Sequence, residues 1–591
     1  MASGYDSHVE LSWQANPASN VDAYRLYRSL DGGQSYSFYR SFNANRTSFL
    51  DFTRAWGNNL SLGYRISAVS NTGQESPLSD PVLTATFDMT DDELMDMVQA
   101  YTFRYFWDFA HPVSGLIRER NTSDETVTMG GTGFGIMAIL VGIERGFITY
   151  QQGLDRILTM VLFLENADRF HGAYPHWMNG STGDVIPFSP QDNGGDIVET
   201  AFLFEGLLTA REYFTSDDVL ENILRDKITQ LWETVEWDWY RKLNQPVMYW
   251  HWSPNFGYAI NFQLRGWNET MIVYLLAAAS PTHGVPGSLY QTGWLNDNYA
   301  NGFNYYGFNL PVGRFLGGPL FFTHYSFIGF DPRYVKDQYT NYFLQNRNQT
   351  LINRAYCISN PGGYTGYGDN CWGLTASDNP FGYLAHEPKA DRDNGTIAPT
   401  AALSSMPYTP VESIAALKHF YRSHGQRLWG DMGFRDAFNE TEDWYASSYL
   451  AIDQGPIITM IENHRSRLLW NTFMSNTEIH NALAAKGFEP DSTVNRVPVI
   501  EESLPWVCVV GPNPVWNEAN IQLDFHQAAT VNIQLFNAEA KQVAVITQQQ
   551  HFAPGQHTLQ WKVGHLPSGT YYLRIQSDAF VQTLPIQVHQ R

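Results

Sequence analysis

The stretch GGDIVETAFLFEGLL, residues 194–208, combines a flexible two-glycine turn with a long apolar run. A helix that is apolar nearly all round is usually buried inside a large fold. Two acidic residues, Asp196 and Glu199, stand three apart at the start of this run and therefore share one face of the helix. They form either a capping box or a pair of carboxyl groups at the mouth of a pocket.

The size and charge of the chain limit its class and its partners. With 591 residues, the chain should fold as about two to four domains. Its net charge is −22, from 59 acidic and 37 basic residues, which argues against nucleic acid and anionic membranes as partners. Its apolar runs are too short to span a membrane. Aromatic residues make up 15% of the chain, which suits sugar binding and a large helical core equally well.

The region 1–86 shows the period of short β-strands. Residues 9–13, 24–28 and 64–69 alternate between apolar and polar side chains, and glycine-containing turns follow two of these segments. Trp13, the Tyr24-x-x-Tyr27 strand and the segment YRISAVSNTGQES resemble a fibronectin type III module. The resemblance implies a small β-sandwich that serves as a spacer or a docking surface.

The region 88–487 has the period of α-helices. A helix begins after Thr90, and Leu94, Val98, Tyr101 and Tyr105 share one of its faces. The pattern predicts further helices near 132–146, 150–167, 195–214, 217–236, 267–279, 331–346, 410–425, 453–474 and 476–486. Several are apolar nearly all round and long loops separate them, so we expect a mainly α chain built on an α/α barrel. The helices after residues 195 and 266 should form its inner layer.

The region 498–591 returns to the strand period. The segments GPNPVWNEANIQL and LPSGTYYLRI resemble the C-terminal sorting domain of the type IX secretion system of Bacteroidota. The resemblance implies a second small β-sandwich, the secretion machinery as a possible partner, and a secreted, periplasmic or cell-surface location. The start MASG lacks the basic and apolar segments of a signal peptide, so we expect that a signal has been removed.

The three cysteines are Cys357, Cys371 and Cys508. The first two share one loop-like stretch, so they form either a disulfide in an oxidising compartment or two free buried thiols. The Cys and His spacings are not typical of a zinc site, and we expect neither a metal nor another cofactor.

Long segments of the middle region resemble the glycoamylase-like family, which includes glycoside hydrolase family 144. They are GGDIVETAFLFEGLLTAREYF, NFQLRGWNETMIVYLLAAASPTHG, GPLFFTHYSFIGFDPR, NRAYCISNPGGYTGYGDNCWGLTASD, GTIAPTAALSSMPYTP and WYASSYLAIDQGPIITMIEN. The resemblance implies an (α/α)6 barrel. It also implies cleavage of β-1,2-glucan, either internally or with release of sophorose from the chain end, so the expected partner is a β-glucan oligo- or polysaccharide.

Glycoside hydrolysis requires an acid for the leaving oxygen and a second carboxylate, and inverting enzymes hold the two roughly 6.5–9.5 Å apart to admit a water. We expect such an inverting acid–base mechanism here. The resemblance indicates Asp196, Glu199 and Glu269 as the catalytic residues. Each could instead be a helix cap, and capping is the leading interpretation for Asp453. Asp369, in an aromatic loop, is either a further candidate or an ordinary turn residue.

The loops offer flat aromatic faces and hydrogen-bonding side chains for sugar rings. The candidate substrate-binding residues are His176, Trp177, Trp252, Arg265, Trp267, His324, Tyr367, Trp372, Trp444 and Asp453. Any single aromatic residue could equally be packed in the core. The leading hypothesis is a β-1,2-glucanase. The alternatives are another glucan hydrolase or transglycosylase on the same barrel, and a glycan-binding surface protein without catalytic activity.

Overall fold

The computed structural model of the chain describes residues 1–295, 299–333, 335–491, 506–511, 515–525, 528–537, 541–563, 566–577 and 581–589. The chain divides into two compact units, Met1–Val494 and Asn495–Arg591. Helices make up 33% and strands 28% of the chain, so the expectation of a mainly α protein holds only for its middle region.

The first 85 residues form two antiparallel sheets around a small apolar core that includes Val9, Leu11 and Leu26. One sheet has the strand order β1-β2-β5 and the other the order β4-β3-β6-β7. The strands are β1 (Ala2–Gly4), β2 (His8–Ser12), β3 (Val21–Ser29), β4 (Ser37–Asn43), β5 (Ser48–Phe52), β6 (Ser61–Ser70) and β7 (Val82–Ala85). The predicted strands at 9–13, 24–28 and 64–69 correspond to β2, β3 and β6.

Within the described residues, twelve α-helices follow. They are α1 (Asp91–Trp107), α2 (Met129–Glu144), α3 (Tyr150–Leu164), α4 (Ile197–Tyr213), α5 (Val219–Glu233), α6 (Met271–Ala279), α7 (Tyr342–Ser359), α8 (Pro399–Leu403), α9 (Pro410–Leu428), α10 (Ala451–Arg465), α11 (Leu468–Phe473) and α12 (Thr477–Ala485). The N-terminal sheets contact this region, where Glu10 accepts two hydrogen bonds from Arg104 at 2.7 and 3.0 Å.

Short strands form β-hairpins and small sheets in the loops between the helices. They are β8 (Thr126–Thr128), β9 (Trp177–Asn179), β10 (Val185–Ile186), β11 (Gly195–Asp196), β12 (His251–Trp252), β13 (Ala300–Tyr305), β14 (Phe308–Val312), β15 (Val335–Lys336), β16 (Ala376–Asn379), β17 (Gly382–Ala385), β18 (Trp429–Gly430), β19 (Gly433–Phe434), β20 (Phe438–Asn439), β21 (Trp444–Tyr445) and β22 (Glu489–Pro490). The pairing of β11 with β12 holds Gly195 opposite Trp252 and Asp196 opposite His251, immediately before α4.

The apolar helices lie in the centre of the first unit. Every residue of α4 from Ile197 to Ala210 is buried, as is nearly every residue of α6. Helices α2 and α4 cross at very short range. A methyl group added at Gly206 would lie only 2.2 Å from the carbonyl oxygen of Gly133. Glycine at this crossing therefore permits contact between the two backbones.

The helix predicted at 331–346 is misplaced. Helix α7 begins at Tyr342, after Asn341, whose side-chain oxygen accepts hydrogen bonds from the amides of Phe343 and Leu344. Upstream, Asp337 accepts from the amides of Tyr339 and Thr340, which holds that segment in a turn. The predicted helix at 453–474 is two helices, α10 and α11, separated by Arg467 in the left-handed conformation.

Of the two alternatives for Cys357 and Cys371, the structure has the free thiols and not the disulfide. Both residues carry free, buried thiols, as does Cys508. The first two pack in the same apolar cluster, beside Trp372 and Ile352. Burial raises the pKa of both thiols.

The second unit contains two antiparallel sheets around a core that includes Ile521, Leu523, Ile533 and Leu573. Their strand orders are β23-β24-β27 and β26-β25-β28-β29. The strands are β23 (Trp506–Gly511), β24 (Glu518–Phe525), β25 (Ala529–Phe536), β26 (Gln542–Phe552), β27 (Gly555–Lys562), β28 (Gly569–Gln576) and β29 (Val581–Val588). The predicted start of this region at residue 498 lies outside the described residues.

Candidate active site

Two adjoining cavities open at the ends of the central helices. The smaller has a volume of about 410 Å³ and the larger about 780 Å³. Trp250, Glu269 and Phe321 line both, so the cavities form one continuous cleft. Among the other residues of the smaller cavity are Glu119, Arg120, Thr128, His176, Trp177, Phe188, Glu199, Tyr325 and Tyr383, and among those of the larger are Arg265, Trp267, Phe303, Tyr305, Arg314 and Phe315.

Asp196 is the N-cap of α4 and is fully buried. Its Oδ1 accepts from the amides of Val198 and Glu199, both at 2.9 Å. Its Oδ2 lies 3.0 Å from Nδ1 of His176 and accepts a hydrogen bond from Nε1 of Trp250, also at 3.0 Å. Burial would raise the pKa of Asp196, but the hydrogen bond with His176 and the nearby histidine charges lower it. Asp196 is thus an ionised residue behind the cavity wall, and it orients two side chains of that wall.

His176 and Glu199 form the charged part of the smaller cavity. Glu199 accepts from the amide of Gly130 at 2.7 Å and from the hydroxyl of Thr128 at 3.1 Å, at the start of α2. Its other oxygen lies 3.9 Å from Nε2 of His176. Burial alone would lower the pKa of His176, but the charges of Glu199 and Asp196 outweigh burial and raise it to about 9. His176 is therefore an imidazolium ion at neutral pH.

A third carboxyl group borders this cluster. Asp192 is buried and lies 3.4 Å from Nε2 of His251, and His251 is 3.7 Å from Asp196. Burial and the charge of Asp196 raise the pKa of Asp192 to about 7. Together with Asp196 and Glu199, Asp192 surrounds His176 with three carboxyl groups. The sequence did not indicate Asp192, because it lies in an irregular loop without a helix-start signal.

Glu269 lies at the junction of the two cavities, just before α6. The oxygen of Asn268 accepts from the amide and the hydroxyl of Thr270 at 2.9 and 2.8 Å, and the hydroxyl of Ser326 accepts from the amide of Ile272 at 3.0 Å in the first turn of the helix. The carboxyl group of Glu269 is therefore available to the cleft, where it is half-buried. Burial raises its pKa to about 7. A carboxylic acid with this pKa can hold a proton at neutral pH and give it up.

Asp453 belongs to a second buried carboxyl pair. The interpretation of Asp453 as a cap is wrong, because Leu450 occupies the N-cap position of α10 and Asp453 lies in the first turn. Its partner is Asp436, and the two carboxyl groups share a side-chain hydrogen bond. Burial and their mutual repulsion raise the pKa of Asp453, and burial raises that of Asp436. Two such groups hold one proton between them over a wide pH range.

Asp453 is close to the cleft. It interacts electrostatically with Tyr325 and Tyr383, which line the smaller cavity, and its neighbour Ile452 lines it as well. Asp436 also accepts a hydrogen bond from the amide of Asp378 at 2.7 Å. Asp369, the remaining candidate, is exposed and lies near Arg354 in a surface turn.

The structure brings together only part of the predicted sugar-binding set. His176 and Trp177 line the smaller cavity, whereas Arg265 and Trp267 line the larger. The predicted residues that line neither cavity, as described, are Trp252, His324, Tyr367, Trp372, Trp444 and Asp453.

Each of the aromatic residues outside the cavities has a structural partner. His324 is buried, its Nε2 lies 3.0 Å from the hydroxyl of Ser405, and burial lowers its pKa to about 3. Trp372 is fully buried in the core. Trp252 packs edge-on against His171, with ring centroids 4.6 Å apart. Tyr367 donates a hydrogen bond to Asp393 at 2.6 Å, and Trp444 pairs with Asn439 in a short hairpin. These side chains hold loops in place.

Sequence analysis missed several cavity residues. Phe188, Phe321 and Tyr383 come from three separate loops, and Phe188 packs against the ring of His176 with centroids 4.1 Å apart. Glu119 and Arg120 form an ion pair at the rim, with a 2.8 Å contact. Single phenylalanines and tyrosines in glycine-rich loops have no spacing that distinguishes a cavity wall from a core.

Glycoside hydrolysis needs a carboxyl group that can supply a proton and flat apolar faces that can hold sugar rings. The cleft offers both features, with Glu269 between aromatic walls, and is suited to glycoside hydrolysis. The Glycoamylase family model matches residues 261–477. The chain is 46% identical over 507 residues to the exo β-1,2-glucooligosaccharide sophorohydrolase (non-reducing end) of Parabacteroides distasonis, covering 82% of this chain and 69% of that protein. The chain therefore belongs to the glycoamylase-like family that includes this sophorohydrolase.

Two solved structures are similar. The crystal structure of a β-1,2-glucanase from Parabacteroides distasonis superposes with a TM-score of 0.76 at 46% identity, covering 82% of this chain and 72% of that one. An endo-β-1,2-glucanase from Chitinophaga pinensis, solved with sophorotriose and glucose, superposes with a TM-score of 0.67 at 50% identity, covering 68% of this chain and 99% of that one.

The C-terminal unit also matches a known family. Residues 509–588 match the secretion system C-terminal sorting domain, which indicates that the protein is exported. Among the described residues, every helix is too short or too polar to cross a membrane.

Proposed function

We propose that the chain is an exported hydrolase of β-1,2-glucan and that hydrolysis takes place in the cleft around Glu269. The relatives named above act on β-1,2-linked glucans, one as an exo-acting sophorohydrolase and one as an endo-β-1,2-glucanase. The observation that carries the assignment of the site is the position of Glu269, a half-buried carboxyl group shared by both cavities. A glucan chain that occupies the whole cleft passes this group.

Glu269 is proposed as the general acid. Burial raises its pKa to about 7, so a large fraction of the enzyme carries the proton at neutral pH. Proton donation to the leaving glycosidic oxygen then creates a charged carboxylate, and Arg314, whose charge lowers the pKa of Glu269, stabilises that charge. This matches the requirement that a catalytic acid have a pKa near the working pH.

The proposed base is the Asp453–Asp436 pair, acting on a water. With one shared proton, the pair retains one negative charge. The attacking water is proposed to lie between this pair and the smaller cavity, whose wall includes Tyr325, Tyr383 and Ile452. Attack by such a water on the anomeric carbon, with Glu269 as the acid, leads to inversion.

His176 and Glu199 are proposed to bind and orient the substrate instead of transferring its protons, and Asp196, behind the cavity wall, is proposed to hold His176 and Trp250 in place. The oxygens of Asp196 are occupied by two amides, His176 and Trp250. Glu199 is held by Gly130 and Thr128. The cationic His176 offers Nε2–H to the cavity and suits sugar hydroxyls or developing negative charge. The sequence suggested a catalytic role for both Asp196 and Glu199, and we propose this supporting role for them instead.

We propose that aromatic faces of the cleft hold the glucose units. Trp177 and Phe188 contact each other in the smaller cavity, Trp250 lies between the two cavities, and Phe303 and Phe315 are exposed beside the larger one. Arg265 supplies hydrogen-bond donors to sugar hydroxyls there.

We also propose the domain layout that the sequence predicted. An (α/α)6 barrel over residues 88–487 is supported by the buried helices α2, α4, α6 and α10, whose apolar surface is almost continuous. Two small β-sandwiches, a fibronectin type III-like module at 1–86 and the sorting module at 498–591, are supported by the paired antiparallel sheets in each region. The sorting module is proposed to deliver the protein to a secreted, periplasmic or cell-surface location through the secretion machinery.

Release of reducing ends from a panel of glucans tests the proposed function. The purified chain is incubated with linear β-1,2-glucan, β-1,3-glucan, β-1,4-glucan and starch, and the products are separated and identified. We expect release from β-1,2-glucan alone, with products of the inverted anomeric configuration by NMR. Preferential cleavage of starch would instead support the glucoamylase-type alternative, and tight binding without cleavage would support a glycan-binding protein.

A further inference from the structure

Three potential metal ligands, with a fourth beside two of them, lie away from the cleft, between the loop that precedes β16, helix α9 and the β20–β21 hairpin. They are Cys371, His419, His424 and Glu440. One ligand atom each of Cys371, His419 and Glu440 lies within 4.8 Å of the others. Nε2 of His424 lies 3.3 Å from Nε2 of His419 and 3.6 Å from Oε1 of Glu440.

We propose that these four side chains bind one divalent transition metal ion, with zinc as the ion whose ligand preferences they match. Thiolate, imidazole and carboxylate are the protein ligands of zinc, and four of them form a closed structural site. Two nitrogens that are each about 2.0–2.1 Å from a tetrahedral zinc ion lie about 3.3–3.4 Å apart. The two Nε2 atoms already have this separation, so the imidazoles are arranged to share an ion.

The surroundings orient His424 for coordination. Its Nδ1 lies 2.8 Å from the hydroxyl of Tyr445, and its ring stacks on Phe438 with centroids 4.8 Å apart. Donation of Nδ1–H to Tyr445 leaves the lone pair on Nε2, which is the atom that faces the other ligands. Such outer hydrogen bonds typically fix the tautomer of a metal-binding histidine.

The burial of the site fits a structural ion. Cys371 is buried, whereas His419 and Glu440 are partly exposed, which leaves a path for the ion to enter. The ligands come from three separate segments, so one ion would fasten the glycine-rich loop before β16 to α9 and to the hairpin.

Cobalt substitution tests this site in the full-length protein. The chain is stripped with a chelator, checked for native circular dichroism, and titrated with Co²⁺. A tetrahedral site with a thiolate gives strong visible d–d bands and a sulfur-to-cobalt charge-transfer band in the near ultraviolet. We expect one tightly bound cobalt ion per chain, displaced by zinc.

Variants assign the ligands. Cys371→Ser should abolish the charge-transfer band, whereas Cys357→Ser, which alters a buried thiol outside the ligand set, should retain it. His419→Ala alters a partly exposed side chain and should abolish stoichiometric binding even if Cys371→Ser fails to fold. Tyr445→Phe should weaken zinc binding by about 10–100-fold, the effect typical of an outer hydrogen bond.

Thermal unfolding gives a second measurement. Zinc should raise the melting temperature of the stripped wild-type chain and of Cys357→Ser, but not that of His419→Ala. The proposal is overturned if the stripped wild-type chain takes up no stoichiometric cobalt at micromolar concentration, or if the charge-transfer band survives in Cys371→Ser. In that case the contact between His419 and His424 is an ordinary hydrogen bond between neutral imidazoles.

Discussion

The carboxylate of Asp196 lies 3.0 Å from Nδ1 of His176, and the same carboxylate caps helix α4. One buried charge therefore fixes both the start of a central helix and the protonation state of a residue in the cavity wall. The imidazolium of His176 exists because three carboxyl groups surround it, with Glu199 3.9 Å from its other nitrogen. This arrangement separates the capping function of Asp196 from its electrostatic function, and a single substitution tests the two.

Asp196→Asn should preserve the helix but change the histidine. Asparagine caps helices as well as aspartate does, so circular dichroism should show that α4 remains intact. The amide nitrogen that replaces Oδ2 cannot accept from Trp250 or His176, so the melting temperature should fall. The loss of its charge should lower the pKa of His176 from about 9 towards the ordinary value, as measured by NMR titration of the imidazole. Asp218→Asn is the control, because Asp218 is an exposed cap of helix α5 and has no histidine partner among the described contacts. An unchanged His176 pKa in Asp196→Asn would contradict this account.

The contact between Asp196 and His176 should also make the stability of the chain depend on pH. The pKa of His176 is higher in the folded chain than its ordinary value of 6.5. The contribution of His176 to the free energy of unfolding is therefore complete below pH 6.5 and is lost as the pH rises towards about 9. Other groups also titrate in this range, so the test is the difference between the free energies of unfolding of wild type and Asp196→Asn. The wild-type chain should lose more stability over this interval, and parallel curves would rule out the assignment.

Asp453→Asn should stop catalysis without unfolding the chain. An amide cannot accept a proton from water, and loss of a general base typically costs about 10²–10⁴-fold in rate. The amide of asparagine can donate a hydrogen bond to Asp436 in place of the shared proton, so the melting temperature should change little. Asp369→Asn, in an exposed turn, is the control and should retain full activity. Near-normal turnover by Asp453→Asn would exclude the pair as the base.

Glu205 should behave as a neutral side chain inside α4. Burial raises its pKa to about 8, and one of its oxygens accepts from the amides of Gly329 and Phe330 at 2.8 and 3.3 Å. Glu205→Gln keeps this shape and acceptor, so its melting temperature at neutral pH should stay close to that of wild type.

Glu205→Ala leaves a cavity and two buried amides without a partner, at a cost of about 2–5 kcal/mol. Chemical denaturation of both variants measures the difference. An equal loss of stability in Glu205→Gln and Glu205→Ala would show that Glu205 is ionised in the folded chain.

The sequence predicted those features that depend on local spacing. Asp196 and Glu199 stand at a helix start, and the apolar run after them is buried as its composition indicated. The starts of α9 and α12 were also close to prediction, because Pro410 and Asn476 mark them locally. By contrast, α7 starts eleven residues after the predicted position of 331, because Asn341 caps it and Asp337 holds a turn before it.

Features that depend on distant contacts could not be predicted. Asp436 and Asp453 become partners only after folding, and each taken alone resembles an ordinary surface or capping residue. Trp372 and Trp177 occupy similar glycine-rich loops, yet the first is fully buried in the core and the second lines the cavity. The four proposed metal ligands have no zinc-type spacing for the same reason, since they come from three separate segments.

The most direct test of the central claim is the initial rate on linear β-1,2-glucan for the wild-type chain and for Glu269→Gln, with a melting curve for each. The account predicts release of β-1,2-linked gluco-oligosaccharides by the wild type, a loss of about 10²–10⁴-fold in Glu269→Gln, and an intact fold in both. A sophoroside with a leaving group that needs no proton should restore much of the lost rate. No release by the wild type, or a near-normal rate for Glu269→Gln on the glucan, would contradict the account.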